Sequence, residues 1–444
     1  MSRTRITSRH RLLLTCLILL LLGLAIIDEY AGWRFLLFSL ASVWALSRFW
    51  AHSLANNLRL KREIRFGWAQ VGDRLEERLT LINKSPFPGV WVQIHDHSDL
   101  PGYSIEQVRA ADSSSTTTWR SSGQCNRRGL FTLGPTSLVT GDPLGLYLVE
   151  LHDPRSVQLM VTPPVVPLPR IQVAPGGLAG EGRPRPNAPQ RTVSASGVRE
   201  HIPGDSLRLI HWRTTARRQQ LYVRTFDNTP LGDWWLILDT NQAVQAGEGG
   251  CSTAEHGVIL AASLADRGLR LRRAVGLAAQ GKSGGQPGEE ALVWLTPGTG
   301  DGQRWAILRA LALLESGQRP LADLLAGLSP SLGNNSSLVL VTSDVCGEWL
   351  EALLPLIWRG LASTVLLLDP TSFGAPLEQC PSGATRNLAS ELVRQGISHQ
   401  VITPDLLDRP EARPGKEGAW RWRVTPSGRA IADEPSLTAP WRSL

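Results

Sequence analysis

The chain is 444 residues long, enough for two or three domains with cores of normal size. It is 42% hydrophobic and 19% charged, which excludes a disordered chain and fits a folded one with some membrane content. The net charge of +7 is carried almost wholly by arginine, which leaves nucleic acid and an anionic membrane surface to weigh as partners. Five cysteines (Cys16, Cys125, Cys251, Cys346, Cys380) stand far apart without a CxxC pair. This argues against a disulfide framework or a Cys-rich zinc site and suits a reducing compartment.

From the N-terminus, Leu12 to Ile27 is a run of 16 residues without a charge, followed by Asp28-Glu29-Tyr30. Phe35 to Leu46 is apolar again but for Ser39 and Ser42. Tyr30, Trp33, Trp44 and Trp50 suit membrane interfaces, so residues 1–58 read as a transmembrane helical hairpin, with helices over about 12–30 and 33–50. Arg3, Arg5, Arg9 and Arg11 precede the first helix, and Arg48, Arg59, Lys61, Arg62 and Arg65 follow the second. The positive-inside rule then places both termini and the bulk of the chain on the cytoplasmic side of a bacterial inner membrane. A cleaved signal peptide competes, but Ile26-Ile27-Asp28-Glu29 is a poor cleavage site. A lipoprotein reading of Leu13-Leu14-Thr15-Cys16 is weak because the apolar run continues past Cys16.

Residues 59–170 read as a small antiparallel β-sandwich. Short alternating stretches such as Arg78–Ile82 and Val90–Ile94 are separated by turn residues. Residues 171–195, rich in Gly, Pro and Arg, form a linker, and 411–444 are a C-terminal tail. Over 231–410 strands and helices alternate. Strands are expected at Trp234–Asp239, Ala274–Ala279, Ala291–Leu295, Ser337–Thr342, Thr364–Asp369 and His399–Ile402. Helices are expected at Ala254–Leu269, Trp305–Glu315, Trp349–Arg359 and Ala384–Gln395. Most of these strands are continuous apolar runs, the mark of a doubly wound α/β sheet buried on both faces.

Three patterns resemble chemistry without its context. Gly276 to Ser283 spells GxxxxGK[ST], but Gly276 sits inside an apolar strand, and Gly284-Gly285-Gln286-Pro287-Gly288 cannot open the helix a phosphate loop needs. Gly204-Asp205-Ser206-Leu207 spells the GDSL esterase signature, yet none of the nine histidines has an Asp three residues before it to act as the base. His95 and His97 share a strand face and can chelate a metal, but no further ligand cluster accompanies them in sequence, so a solvated face is the better reading.

The densest stretch runs from Arg199 to Arg218 and on through Leu221-Tyr222-Val223-Arg224. Ile202-Pro203-Gly204-Asp205 suits a type II turn, Asp205 can cap the helical turn that follows, and one or two of the arginines around it can pair with its carboxylate. Ile210 and Trp212 are expected to be packing anchors. A structural clasp between the two folded parts is weighed here against a catalytic role.

This stretch resembles the signature of the domain of unknown function 58 family, R-x-Y/H-x-x-G-D-x-x-R-x-I-x-W-x-x-x-A-R followed by L-x-V-R. The match rests on Arg199, Gly204, Asp205, Arg208, Ile210, Trp212, Ala216, Arg217, Leu221, Val223 and Arg224. Arg128-Gly129 and Asp142-Pro143-Leu144-Gly145-Leu146 look like further elements of that family. His201 stands where its members usually carry Tyr. The resemblance implies a von Willebrand factor A-like C-terminal domain. It also implies a membrane-bound adaptor, not an enzyme, with MoxR-type AAA+ ATPases and membrane transglutaminase-like proteins as partners. The metal site of von Willebrand factor A domains has a counterpart at Asp239, Asn241 and Asp344, with Thr296 or Thr299 for a hydroxyl. That set is degraded, because Ala243 offers no oxygen where a ligand is expected. No cofactor is expected, and Mg²⁺ is the cation those oxygens would suit. The expected function is a membrane-anchored, non-enzymatic scaffold that docks a protein partner and no nucleic acid. The alternative is a hydrolase acting through the Arg/Asp motif at 199–217.

Overall fold

The computed structural model of the protein describes residues 3–8, 11–28, 30–168, 171–174, 195–201, 210–226, 232–283, 290–328, 332, 336–376, 380–381, 383–408, 421–424, 430–433 and 442–443. The chain divides into two compact units. The first is Met1–Pro164 with Leu308–Leu314 and Arg413–Leu444, and the second is Val165–Ile307 with Glu315–Ala412.

The first unit opens with β1 (Arg3–Ser8), α1 (Arg11–Ile27) and α2 (Ala31–Asn57). The expected transmembrane hairpin is overturned. No helix among the described residues is long and apolar enough to cross a membrane. Helix α1 has 17 residues, about 25 Å at 1.5 Å per residue, short of the roughly 30 Å of a hydrocarbon core. Helix α2 is longer, but its C-terminal part belongs to the β domain: Ser47, Ala51, Leu54 and Ala55 are buried. Trp50 donates its indole N–H to the Pro88 carbonyl at 3.1 Å and stacks on Phe87, with ring centroids 4.5 Å apart. Trp44 packs on the same core. Both tryptophans are half-buried against the β domain, where the sequence pattern suggests interface anchors. The inner-membrane placement and the cytoplasmic orientation rested on that hairpin and fall with it.

The strands that follow are β2 (Leu58–Ile64), β3 (Trp68–Gln70), β4 (Arg74–Asn83), β5 (Gly89–Asp96), β6 (Gln107–Ala111), β7 (Ser115–Gln124), β8 (Gly129–Leu133), β9 (Thr136–Gly141), β10 (Tyr147–Asp153) and β11 (Val157–Thr162). They form a five-stranded sheet (β1-β10-β9-β5-β6), a sheet containing β2-β4-β7, and a small sheet (β3-β11-β8). Alternation sets which faces turn inward: β4 buries every second residue, among them Leu79 and Leu81. Those side chains share one core with Val92, Ile94, Leu138 and Val149 of the five-stranded sheet. An ion cluster joins the two larger sheets inside this core. Arg62 of β2 pairs with Glu77 of β4 at 2.9 Å and with Asp96 of β5 at 2.8 Å, and it donates to the Thr136 hydroxyl of β9 at 2.8 Å.

The second unit carries β12 (Ala195–Glu200), α3 (Trp212–Arg218), β13 (Tyr222–Phe226), β14 (Trp234–Leu238), α4 (Thr253–Arg270), β15 (Val275–Ser283), β16 (Glu290–Gly298), α5 (Gly300–Leu313) and β17 (Leu314–Glu315) except for their residues Leu308–Leu314, α6 (Leu321–Leu328), β18 (Ser337–Thr342), α7 (Trp349–Trp358), β19 (Ala362–Leu368), α8 (Ala384–Arg394), β20 (Ser398–Ile402) and α9 (Asp405–Asp408). Its main sheet runs β16-β15-β14-β18-β19-β20, with β17 paired to β15. Neighbours along this path are parallel except β15 and β16. Every residue of β14 and of β18 is buried, as the unbroken apolar runs require of central strands. Helices α6, α7 and α8 share a core with Trp235, Ile237, Leu338 and Leu340, on one face of the sheet. Helix α4 covers the other face, where a Cβ on Gly268 would come within 2.8 Å of the Trp234 ring. The C-terminal residues expected as a tail include β21 (Arg421–Val424), paired with β22 (Ala430–Asp433), and β23 (Arg442–Ser443), which pairs with β2.

Candidate functional site

Two places in the second unit hold the signature residues and the oxygens named for a cation: the signature stretch and the C-terminal edge of the parallel sheet.

In the signature stretch β12 and β13 pair antiparallel, with Arg199 opposite Val223 and Glu200 opposite Tyr222. Ile210 bridges to Val223 and is 5% exposed, so it is the anchor its side chain suggests. Gly204, Asp205, Arg208 and the serine of the GDSL-like run lie outside the described residues, as does the Arg199 side chain. Helix α3 then starts at a cap made by an imidazole: His211 Nδ1 accepts the Thr214 N–H at 3.3 Å and lies 2.8 Å from the Thr214 hydroxyl. The far end is closed by Gln219, left-handed at φ 56°, whose N–H bonds the Thr215 carbonyl. Thr215 Oγ1 accepts the Tyr222 N–H at 3.1 Å and ties the helix to β13. Tyr222 in turn donates to Glu200 at 3.3 Å, and the Arg218 guanidinium lies 5.6 Å from the centre of the Tyr222 ring.

The fixed helix turns its large side chains outward. Trp212 is 67% exposed, and Arg213, Ala216 and Arg217 are exposed beside it. Trp212 is therefore not the packing anchor the sequence suggested. A helix of seven residues has no room for a buried stripe, and Ile210 just before it supplies the anchor. Residues one turn apart share a face, so Trp212 lies over Ala216 and Arg213 over Arg217.

At the sheet edge, Asp239 follows β14 directly. Its Oδ2 accepts the Thr342 hydroxyl at 2.6 Å and its Oδ1 accepts the Asn241 N–H at 3.0 Å. Asn241 Oδ1 accepts the Ala243 N–H at 3.1 Å, and Asp344 Oδ1 accepts the Cys346 N–H at 2.8 Å. The Oδ1 atoms of Asp239, Asn241 and Asp344 therefore each cap their own loop. The hydroxyl expected from Thr296 or Thr299 is not at hand: Gly298 pairs with Val275, and Val275 with Trp234, so that segment lies at the opposite end of β14. Thr342 supplies the hydroxyl at Asp239. Among the described residues no group of three or more His, Cys, Asp or Glu side chains is placed to hold a metal ion. Both oxygens of Asp239 and the side-chain oxygen of Asn241 already accept hydrogen bonds, whereas Mg²⁺ asks for near-ideal octahedral oxygens.

Burial pushes the Asp239 carboxyl up from 3.8 to about 6, against the hydrogen bonds from Thr342 and Asn241, and the charge of Asp344 adds to the rise. A folded-state value above the unfolded one gives stability that is full below about pH 4 and is lost as pH rises to about 6, at about 1.4 kcal/mol per unit. Asp239→Asn is thus expected to match or exceed the parent's stability at pH 7.5 and to flatten its stability–pH curve between pH 4 and 6. Urea titrations across that range check it. A loss above about 2 kcal/mol at pH 7.5 would mean that the carboxylate charge itself is needed there.

The phosphate-loop pattern at Gly276–Ser283 lies wholly within β15, antiparallel to β16, and the strand–loop–helix it would need is not formed. Sequence reasoning missed two arrangements, the buried cluster around Arg62 and a meeting of His97 with His152. Both arise from cross-strand pairing of distant segments, for which no local signal exists.

No curated protein matches the chain. Among solved structures, crystal structures of a beta-glucosidase from Listeria innocua align at low similarity. The isofagomine complex has 13% identity over 23% of this chain and a TM-score of 0.17. The gluconolactone complex has 14% identity over 23% of this chain and a TM-score of 0.17. The chain spans 16% of those proteins, and at such scores they bear on neither fold nor function. Residues 197–376, which take in α3, β13 and the sheet through β19, match the family model described as "Protein of unknown function DUF58", so this stretch of the chain is similar to that family.

Proposed function

We propose that this protein is a non-enzymatic docking protein that holds a protein partner through α3. One observation carries the reading: a tryptophan 67% exposed on a short helix whose backbone is fixed at both ends. Trp and Arg are the residues that dominate binding energy at protein interfaces, and a helix already ordered spares the partner the entropy of ordering it. Arg213 and Arg217 on the adjoining face favour an acidic partner surface. The family resemblance implies which partner this is, an AAA+ ATPase of the MoxR type, with the membrane transglutaminase-like proteins second. In this reading the α/β unit is a von Willebrand factor A-like platform that presents α3 and needs no metal at Asp239.

Affinity co-purification of the full-length protein from its native cells, with mass spectrometry of what accompanies it, tests the reading. The parent chain is expected to capture an ATPase, and a folded Trp212→Ala variant to lose it. Repeated recovery of no ATPase by the parent sinks the proposal.

A further inference from the structure

Three histidines gather on the outer face of the five-stranded sheet. Register sets His95 of β5 on one side of Ser137 of β9 and His152 of β10 on the other. His97 follows β5, and its backbone N–H bonds the Pro135 carbonyl at 3.1 Å, which fixes where its side chain begins. His97 Nε2 lies 3.2 Å from Ser137 Oγ, and His152 Nδ1 lies 3.1 Å from the same oxygen. The two rings are 6.5 Å apart, centre to centre. Two imidazole nitrogens from distant parts of the chain therefore converge on one hydroxyl.

That hydroxyl has a single proton, so it can donate to one ring only, and the other ring has to turn an N–H toward it. His97 is exposed, and Ser137 and His152 are partly so. Water can replace either hydrogen bond at small cost, so these bonds alone add little to the fold.

We propose that His97 and His152 form a two-imidazole site for a borderline divalent transition cation (Zn²⁺, Ni²⁺ or Cu²⁺), completed by the Ser137 hydroxyl and water. Imidazole nitrogen suits these ions, whereas Mg²⁺ and Ca²⁺ prefer oxygen. Metal–nitrogen bonds are about 2.0–2.1 Å, shorter than the present 3.2 and 3.1 Å to the hydroxyl, so both rings draw in on an ion set beside Ser137 Oγ. Ser137 and His152 stand on paired strands, and His97 is held by its backbone bond to Pro135. His95, whose Nδ1 is 3.9 Å from Glu106 Oε1, borders the site. With two nitrogens the site keeps open positions, which water or a ligand from outside the chain fills. It lies in the first unit and stands apart from the reading of α3 as a docking helix.

Calorimetric titration of the full-length protein, with no polyhistidine tag, against NiCl₂ tests the site. One ion per chain is expected, with Kd on the order of 10 μM. His97→Gln and His152→Gln are each expected to weaken binding by about tenfold or more, and His95→Gln by less than about threefold. In the Cu²⁺-loaded protein, electron paramagnetic resonance should show two imidazole nitrogens, and one after His152→Gln. Binding no tighter than about 1 mM, or binding that survives both substitutions unchanged, overturns the proposal. Melting temperatures of the variants, expected to equal the parent's, separate ligand loss from unfolding.

Discussion

Replacing Glu77 with alanine is expected to destabilise the β domain by about 3 kcal/mol, the lower end of the cost of removing one partner of a buried ion pair, because Arg62 keeps Asp96. Glu77 is fully buried and Arg62 is 5% exposed, so neither charge has water to fall back on. Burial works against the guanidinium charge, but Glu77 and Asp96 outweigh it and hold the Arg62 pKa above its ordinary value. Without Glu77, Arg62 keeps Asp96 and the Thr136 hydroxyl but loses three contacts, two to Oε2 at 2.9 and 3.2 Å and one to Oε1 at 3.1 Å. The loss reaches past β4, because Arg62 bonds β2, β4, β5 and β9 together. Urea denaturation followed by near-UV circular dichroism should show an earlier transition for the first unit, with the second unit's transition unmoved. The paired replacement Arg62→Met with Glu77→Leu should not rescue the loss, because it leaves the Asp96 carboxylate, 2% exposed, without its cation. A shift below about 1 kcal/mol for Glu77→Ala would show that the cluster is hydrated and does not clamp the sheets.

The α/β half of the molecule is legible in sequence because its signal is local. Trp234 to Leu238 and Ser337 to Thr342 are apolar runs of strand length, and such runs lie in the middle of a parallel sheet whatever surrounds them. The N-terminal helices are the opposite case. Their apolar content is plain, but what covers it is not: Trp50 reads equally well as an interface residue and as the partner of Phe87, and only the fold decides. The clusters around Arg62 and Ser137 were illegible for a different reason. Both depend on register between strands separated by dozens of residues, and a slip of one position would turn every side chain to the other face. At the sheet edge, sequence located Asp239 and Asp344 but erred on the hydroxyl. The antiparallel edge strand β16 carries Thr296 away from Asp239, and the alternating strand–helix pattern does not reveal that reversal.

Trp212→Ala is expected to cost the α3 interface about 2–4 kcal/mol, a loss of affinity of roughly 30-fold to 1,000-fold. The magnitude follows from the size of an indole that leaves water only when a partner covers it. Because the ring is 67% exposed in the chain itself, its removal should change folding stability by no more than about 0.5 kcal/mol. Ile210→Ala should behave in the reverse sense. That side chain is 5% exposed and bridges Val223, so its loss should loosen the α3 segment before any partner is considered. Arg217→Glu, exposed on the neighbouring face, should slow association with an acidic partner and reduce its salt dependence, with little change in the dissociation rate. Surface plasmon resonance with the captured ATPase, at low and at physiological salt, reads all three. Full affinity in a folded Trp212→Ala variant would remove α3 from the interface and return Trp212 to the exposed hydrophobic residues that any surface carries.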